Sequence, residues 1–317
     1  MTKVIVVGAG QWGKNLVRTF YELGALAGVA EAHPELRNRL KTDYPEVPLY
    51  EDYRSALTAE AQAFVIATPA HTHAAIARKA LLAGKDIFVE KPLTLSADEA
   101  EELVLLAEEK QRILMVGHLL LYQPAIRKMK EMVDQGRIGK LRSLHQERMK
   151  LGRVRAVENV LWSFGVHDLA VFLYLVGESP KDIQATGQRI VQPAIEDDVY
   201  VHLTFTDSVT AHLHTSWLWP QQRRCLTIIG TTGMLVYDEE VQTVTLHRKG
   251  IDAELSNVDE GSELVFKGEA KPLTLECKHF LECVDLRRRP LSDGTNGVEV
   301  VRILEKASDL LRGGLNT

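Results

Sequence analysis

The residues whose types and spacing most directly ask for a ligand are Gly8-Ala9-Gly10-Gln11-Trp12-Gly13, which follow the apolar run Val4-Ile5-Val6-Val7. Between a strand and a helix, each glycine of such a run has a task. Gly8 permits the tight turn, Gly10 lets a pyrophosphate approach the backbone, and Gly13 lets helix and strand pack closely. Gln11 and Trp12 sit within the same turn and join the candidate cofactor residues. The first turn of the helix then offers free N–H groups and a partial positive charge to the phosphates. Glu31 ends the next apolar run. A carboxylate there accepts hydrogen bonds from both ribose hydroxyls and repels a 2′-phosphate, so the expected cofactor is NAD rather than NADP. Glu90-Lys91-Pro92 follows a later apolar run. A lysine beside a nicotinamide hydrogen-bonds the reacting oxygen and stabilises charge on it. Pro92 stops the strand just past it. Read alone, a lysine before a proline is a surface residue. Its assignment therefore depends on the elements that place it.

Those elements are legible as apolar runs at 4–7, 26–30, 47–50, 63–67, 87–89 and 113–116. They are continuous rather than alternating, as strands are when helices cover both faces of a parallel sheet. Helical segments are expected between most of them. One covers 14–23, one opens at Pro34, one covers 72–83 and stops at Gly84, and one opens with Ser96-Ala97-Asp98-Glu99, a capping box. A shorter connection is expected around 53–57. This alternation specifies a doubly wound parallel sheet of the Rossmann type. Lys91 then falls at the carboxyl end of the fifth strand, where open α/β sheets bind ligands.

After His118 the pattern changes. Helices are expected at 124–135 and 167–176, with Gly136-Arg137-Ile138-Gly139 as a turn. Period-two runs follow: Val199, Val201, Leu203 and Phe205 alternate with polar residues, as do Ala211, Leu213 and Thr215. Further strands are expected at 224–229, 234–237 and 241–247, and closing helices at 275–287 and 297–311. The fold class is α/β: an NAD-binding Rossmann domain over 1–118, then an α/β domain over 119–317 with a large open, mostly antiparallel sheet. This second domain is expected to bind substrate and to carry oligomer contacts.

The composition narrows the partners. The chain has 317 residues, 45% hydrophobic and 26% charged, with a net charge of −5. An acidic balance argues against nucleic acid, which recruits a surplus of Lys and Arg. The run Arg287-Arg288-Arg289 reads as a solvated helix C-terminus. Cys225, Cys277 and Cys283 have no metal-site spacing and read as reduced thiols. His202, His212 and His214 alternate along two strands and read as a polar sheet face, so no metal is expected. With no secretory signal and no bilayer-length apolar run, the expected location is the cytoplasm, with no membrane partner. Arg153 and Arg155 could hold a substrate phosphate or carboxylate by forked hydrogen bonds, or be solvated loop arginines. Tyr122 could wall a substrate site or simply pack.

Several motifs together resemble one known family. Gly8–Gly13, Thr68-Pro69-Ala70-His71-Thr72-His73, Ala83-Gly84-Lys85, Glu90-Lys91-Pro92, Val116-Gly117-His118 and Gly136–Gly139 occur in the order and spacing of the Gfo/Idh/MocA oxidoreductases. The resemblance covers nearly the whole chain. It implies that Thr68, Pro69 and His73 line the cofactor with Glu90, and that Lys91 is the active-site lysine. It also implies that His167, in Gly165-Val166-His167, is the catalytic acid/base, a role suited to an imidazole that titrates near neutral pH. Read alone, His167 would be a core histidine with satisfied nitrogens. Asp168 would cap or orient rather than catalyse. Ser163 stands where many members carry an acidic residue. Serine cannot hold charge near the histidine, so a carboxylate-assisted mechanism on polyols is not implied. The stretch with Asn159, Trp162 and Ser163 is similar to a subgroup acting on nucleotide sugars, which makes these three candidate substrate residues. The implied activity is hydride transfer between a secondary alcohol or ketone of a sugar or nucleotide sugar, such as a UDP-N-acetylhexosamine at C3, and NAD. Two other activities occur on the same fold: an NAD-dependent glycosidase and a non-catalytic NAD-sensing regulator. A homodimer or homotetramer is the implied assembly.

Overall fold

The computed structural model describes residues 2–152, 154–268 and 271–313. The chain divides into two compact units, the first formed by residues 2–119 and 271–302, the second by 120–268 and 303–313.

In the first unit the chain runs β1 (Val4–Val7), α1 (Gly13–Glu22), β2 (Leu26–Ala30), α2 (Pro34–Asp43), β3 (Leu49–Tyr50), α3 (Tyr53–Ala56), β4 (Ala63–Ile66), α4 (His73–Leu82), β5 (Asp86–Glu90), α5 (Ala97–Glu109) and β6 (Leu114–Gly117). The six strands form one parallel sheet in the order β3-β2-β1-β4-β5-β6. Every residue of β1, β4 and β5 is buried, which accounts for their continuous apolar runs. The order reverses between β1 and β4. Ligands of doubly wound sheets bind at this switch point. Gly8 (φ +89) leaves β1 there, and a Cβ on it would stand 2.9 Å from the Ala67 carbonyl oxygen after β4.

The second unit holds α6 (Pro124–Asp134), β7 (Leu141–Met149), α7 (Val166–Val176), β8 (Asp182–Gln188), β9 (Asp198–Thr204), β10 (Thr210–Ser216), β11 (Arg223–Gly230), β12 (Met234–Asp238), β13 (Thr243–Ile251) and β14 (Asn257–Lys267). Its eight strands lie in the order β14-β13-β12-β11-β7-β10-β9-β8. Among the described residues of this sheet, only β7 and β10 pair in parallel. Leu144, Val201, Leu213, Ile228, Leu235 and Leu246 fill the inner face. Two helices close the chain. Helix α8 (Pro272–Leu286) belongs to the first unit, and α9 (Gly294–Gly313) contributes residues 294–302 to the first and the rest to the second. The residues 271–302, assigned from the sequence to the second domain, thus pack with the Rossmann sheet. Thr2, for example, bonds Asp285 through its hydroxyl and its N–H.

The structure corrects several local expectations. Strand β3 pairs over two residues only. Ser96 has the extended backbone of an N-cap, but its side chain makes no capping hydrogen bond. Its carbonyl instead accepts the Thr94 hydroxyl. Arg287 is not merely solvated: its guanidinium donates to Asp86 and to the Gln111 carbonyl. Strands β7, β8 and β14 carried no clean alternation. β7 turns Gln146 and Arg148 inward, and β14 is exposed along most of its length.

Candidate active site

In the first unit, a cleft of about 550 Å³ opens at the switch point, lined among others by Gly8, Gly10, Glu31, Thr68, Pro69 and Ile76. Its floor is the glycine turn. A Cβ on Gly13 would stand 2.1 Å from the Gly8 carbonyl oxygen, whereas one on Gly10 would meet nothing within 4 Å. The first glycine contact is therefore internal packing, and the second leaves room for a ligand. No side chain caps α1; in its first turn the Lys14 N–H donates to the Gly10 carbonyl and the Asn15 N–H to that of Trp12, and the positive end of the helix dipole lies at the glycine turn. Glu31 is buried, and both its oxygens are pinned by backbone donors: Oε2 accepts the Ala9 N–H at 2.6 Å and Oε1 the His33 N–H at 2.8 Å. Each oxygen keeps a second lone pair for a ribose hydroxyl. These features fit NAD.

Not every predicted cofactor residue lines this cleft. Gln11 is exposed on the turn. Trp12 is turned to Glu90, and its Nε1 donates to Oε1 at 2.5 Å. His73 is buried and spans two loops, with Nδ1 2.8 Å from the Pro92 carbonyl oxygen and Nε2 2.8 Å from that of Thr68. It ties the Thr68 loop to the segment after Lys91.

The end of β5 gathers titratable groups. Glu90 is buried, and burial raises its pKa to about 7 against the pull of the Trp12 hydrogen bond and Lys91. Its partner in the sheet is Gly117, where a Cβ would stand 3.0 Å from Glu90 Oε2. The next residue, His118, is enclosed with neither ring nitrogen hydrogen-bonded. Burial, helped by the Lys91 charge, lowers its pKa to about 3. The charge of Lys91 therefore acts on a neutral imidazole, His118, and on a carboxyl poised near neutrality, Glu90.

His167 lies in the second unit, in the first turn of α7, after a π-helical turn over Leu161–Gly165. A Cβ on Gly165 would meet Leu161 at 2.6 Å and Leu213 of β10 at 3.0 Å, so the turn rests directly on the sheet. Asp168 is held from below. Arg148 Nε donates to its two oxygens at 2.9 and 2.8 Å, while Nη2 donates to Glu239 at 2.8 Å. Arg224 adds a bond to Glu239 at 2.9 Å. Burial pushes the Asp168 carboxyl up to about 6 even against Arg148. Asp168 thus anchors the turn that bears His167.

The candidate substrate residues fare differently. Asn159 caps the π-helical turn: its Oδ1 accepts the Trp162 N–H and its Nδ2 donates to Glu196. The Trp162 indole donates to Ser308 at 2.9 Å. Ser163 and Tyr122 are buried. Arg155 is exposed, 3.7 Å from Glu158, and Arg153 lies outside the described residues. Sequence reasoning missed Arg148, His118 as a titratable group, and Glu276. The last had a signal, since Glu276 falls on the apolar stripe of α8 with Cys277 and Phe280.

A glycine turn at the switch point, an acid at the end of β2 and a lysine at the end of β5 define a nicotinamide-dependent Rossmann oxidoreductase. The family model for an oxidoreductase family with an NAD-binding Rossmann fold matches residues 2–118, and the Gfo/Idh/MocA C-terminal domain matches residues 126–236. The chain belongs to the Gfo/Idh/MocA oxidoreductase family, and its cofactor is NAD. It is 28% identical over 305 residues to the UDP-N-acetylglucosamine 3-dehydrogenase of Acidithiobacillus ferrooxidans, covering 93% of each chain. The solved structure of that enzyme matches with a TM-score of 0.88 over 98% of each chain at 26% identity. A solved structure from Magnetospirillum magnetotacticum is 31% identical over 96% of this chain and 98% of that one, with a TM-score of 0.83. The scyllo-inositol 2-dehydrogenase (NAD(+)) of Bacillus subtilis is 25% identical over 80% of this chain and 76% of its own.

Proposed function

We propose that the chain interconverts a secondary alcohol and a ketone on a nucleotide sugar of the UDP-N-acetylhexosamine type, at C3. The observation that carries this reading is the likeness, along nearly the whole of both chains, to a UDP-N-acetylglucosamine 3-dehydrogenase. When bound, the nicotinamide accepts the hydride that leaves the carbon. The glycine turn and the first turn of α1 hold the pyrophosphate, and Glu31 holds the ribose hydroxyls and selects against a 2′-phosphate. Thr68 and Pro69 wall the cleft. Lys91 hydrogen-bonds the reacting oxygen, and His167 takes the hydroxyl proton. Asp168, held by Arg148, keeps His167 in place. Ser163 brings no charge to His167, in keeping with a substrate other than a polyol. The protein works in the cytoplasm as a homodimer or homotetramer, a state that light scattering measures.

The test is NADH formation from NAD and UDP-N-acetylglucosamine, compared with free sugars and inositols. Turnover of the UDP-sugar is expected, and it should vanish in the Lys91→Ala/His167→Ala double variant while NAD binding persists. Turnover of inositols with none of any UDP-N-acetylhexosamine would overturn the nucleotide-sugar reading. Sugar release without net NADH would instead indicate a glycosidase.

A further inference from the structure

His73, the first residue of α4, is 1% exposed and has a backbone carbonyl at each end of its ring. Nδ1 stands 2.8 Å from the Pro92 oxygen and Nε2 2.8 Å from the Thr68 oxygen. Neither gap leaves room for water. A carbonyl oxygen only accepts, and a neutral imidazole carries a single N–H. Both contacts are hydrogen bonds only when both nitrogens carry a proton. In the neutral ring, one nitrogen turns a lone pair on a carbonyl oxygen at the same short distance.

The two carbonyls belong to two different parts of the first unit. Thr68 and Pro69 line the cofactor cleft. The Thr68 methyl lies 3.0 Å from the point that a Cβ on Gly8 would occupy, so this loop packs on the glycine turn. Thr72 braces the same loop, sharing a hydrogen bond with the Thr68 hydroxyl at 2.6 Å and donating to the Pro69 carbonyl at 2.7 Å. Pro92 follows Glu90 and Lys91 at the end of β5. Opposed forces act on the ring. Burial lowers its pKa, against the backbone of Pro92, Thr68 and Leu93, which raises it; the charge of His71 acts with burial. The N-terminal end of α4 also disfavours a cation. The second proton is therefore held less tightly than in an ordinary histidine, and whatever favours the cation draws it in.

We propose that His73 is a positioning residue for the NAD site, a clamp worked by one proton. With two N–H groups the ring ties the Thr68 loop to the Pro92 segment. When the proton leaves to solvent, one carbonyl is released and that wall of the cleft loosens. NAD brings an anionic pyrophosphate to the glycine turn on which Thr68 packs, so it selects the clamped, cationic ring. The two bindings are reciprocal: NAD draws a proton onto His73, and the site weakens as pH rises through that titration.

The test uses the whole protein and NAD alone, so its outcome is independent of which sugar is turned over. Imidazole 15N NMR between about pH 5 and pH 9 follows the ring, whose signals are those lost in His73→Gln. Both nitrogens should be protonated at the acid end and one at the alkaline end. Saturating NAD should raise the midpoint by at least about half a pH unit, which corresponds to about threefold tighter NAD binding by the doubly protonated ring. His73→Gln donates to one side only and takes up no proton. Its NAD Kd should match wild type at the alkaline end and be about threefold weaker at the acid end. A ring that keeps a single proton throughout, or a midpoint that NAD leaves in place, would overturn the proposal. So would a variant that weakens NAD equally at every pH, as a purely structural role predicts. If His73→Gln does not fold, the ring is assigned with His73→Asn and the wild-type titration with and without NAD decides.

Discussion

The indole of Trp12 donates a hydrogen bond from Nε1 to Oε1 of Glu90, joining the glycine turn after β1 to the last residue of β5. One contact links the loop expected to carry the pyrophosphate to the residue beside Lys91. Trp12→Phe keeps most of the ring and removes the donor. Glu90 should then ionise at higher pH, since the Trp12 bond holds its pKa down. A bond to a charged group contributes about 1.5–3 kcal/mol. The acid limb of kcat/KM should accordingly rise by about one unit, with activity at pH 8 about half that of wild type. A pH profile unchanged from wild type would show that the bond has no functional weight.

Gly10 and Gly13 should separate binding from folding. The Gly13→Ala methyl meets backbone at 2.1 Å, and overpacking of this kind costs about 1–3 kcal/mol or more. Its urea midpoint should fall clearly. Gly10→Ala meets nothing and should unfold like wild type within about 0.5 kcal/mol. Its NAD affinity should nonetheless drop about tenfold or more, because the methyl enters the space left for the pyrophosphate. Equal NAD affinity for Gly10→Ala and wild type would place the phosphates elsewhere.

Glu31 is expected to set the choice of cofactor. Glu31→Ala removes the acceptor for any ribose hydroxyl and the anchor for the Ala9 and His33 N–H groups. Each lost charged hydrogen bond contributes about 1.5–3 kcal/mol, so NAD should bind about ten- to a hundredfold more weakly and the preference over NADP should shrink. Titrating both cofactors checks this, and tighter NADP than NAD binding by wild type would contradict it.

Glu90 also makes a prediction about stability. Its pKa lies near 7 in the folded protein, above the ordinary value of about 4.3 in an unfolded chain. Between these values the native state holds the extra proton. The stabilising contribution is complete below the unfolded pKa and is lost as pH rises through about 7. Wild type should therefore lose stability relative to Glu90→Gln between pH 5 and pH 8, by a difference on the order of a few kcal/mol. Parallel urea denaturation of both proteins across this range measures it. A constant difference would mean that Glu90 ionises normally.

Arg148 should matter to both stability and turnover. Replacing it with Met leaves Asp168 and Glu239 enclosed with one fewer cation, and breaking a buried pair costs about 3–5 kcal/mol. Asp168 adjoins His167, so kcat should fall as well. Arg148→Lys, which lacks the planar fork, should recover only part of either loss. A Met variant as stable as wild type would deny the network its role.

The outline of the fold was readable in the runs of Val, Ile and Leu. A strand covered on both faces is apolar throughout, and one covered on one face alternates. Strand β7 escaped because its inward positions include the polar residues Gln146 and Arg148, and Arg148 finds its partners, Asp168 and Glu239, in other segments. His73 was readable as part of a motif, but its role was not. Only the folded chain shows it bridging the Thr68 and Pro92 carbonyls rather than facing the cleft.

The glycine turn, Glu31 and the change from continuous to alternating runs were determined by the sequence itself. Turn geometry, strand ends and periodicity are local, and residues a few positions apart are enough to specify them. Which polar groups lose water was decided by tertiary structure alone. Phe88 of β5 and Phe280 of α8 are far apart in the chain and meet ring to ring, and Glu276 on the same helix is buried. Arg148, Asp168 and Glu239 come from three separate segments. Burial sets the charge state of such groups, and burial belongs to the packed molecule rather than to any stretch of its sequence.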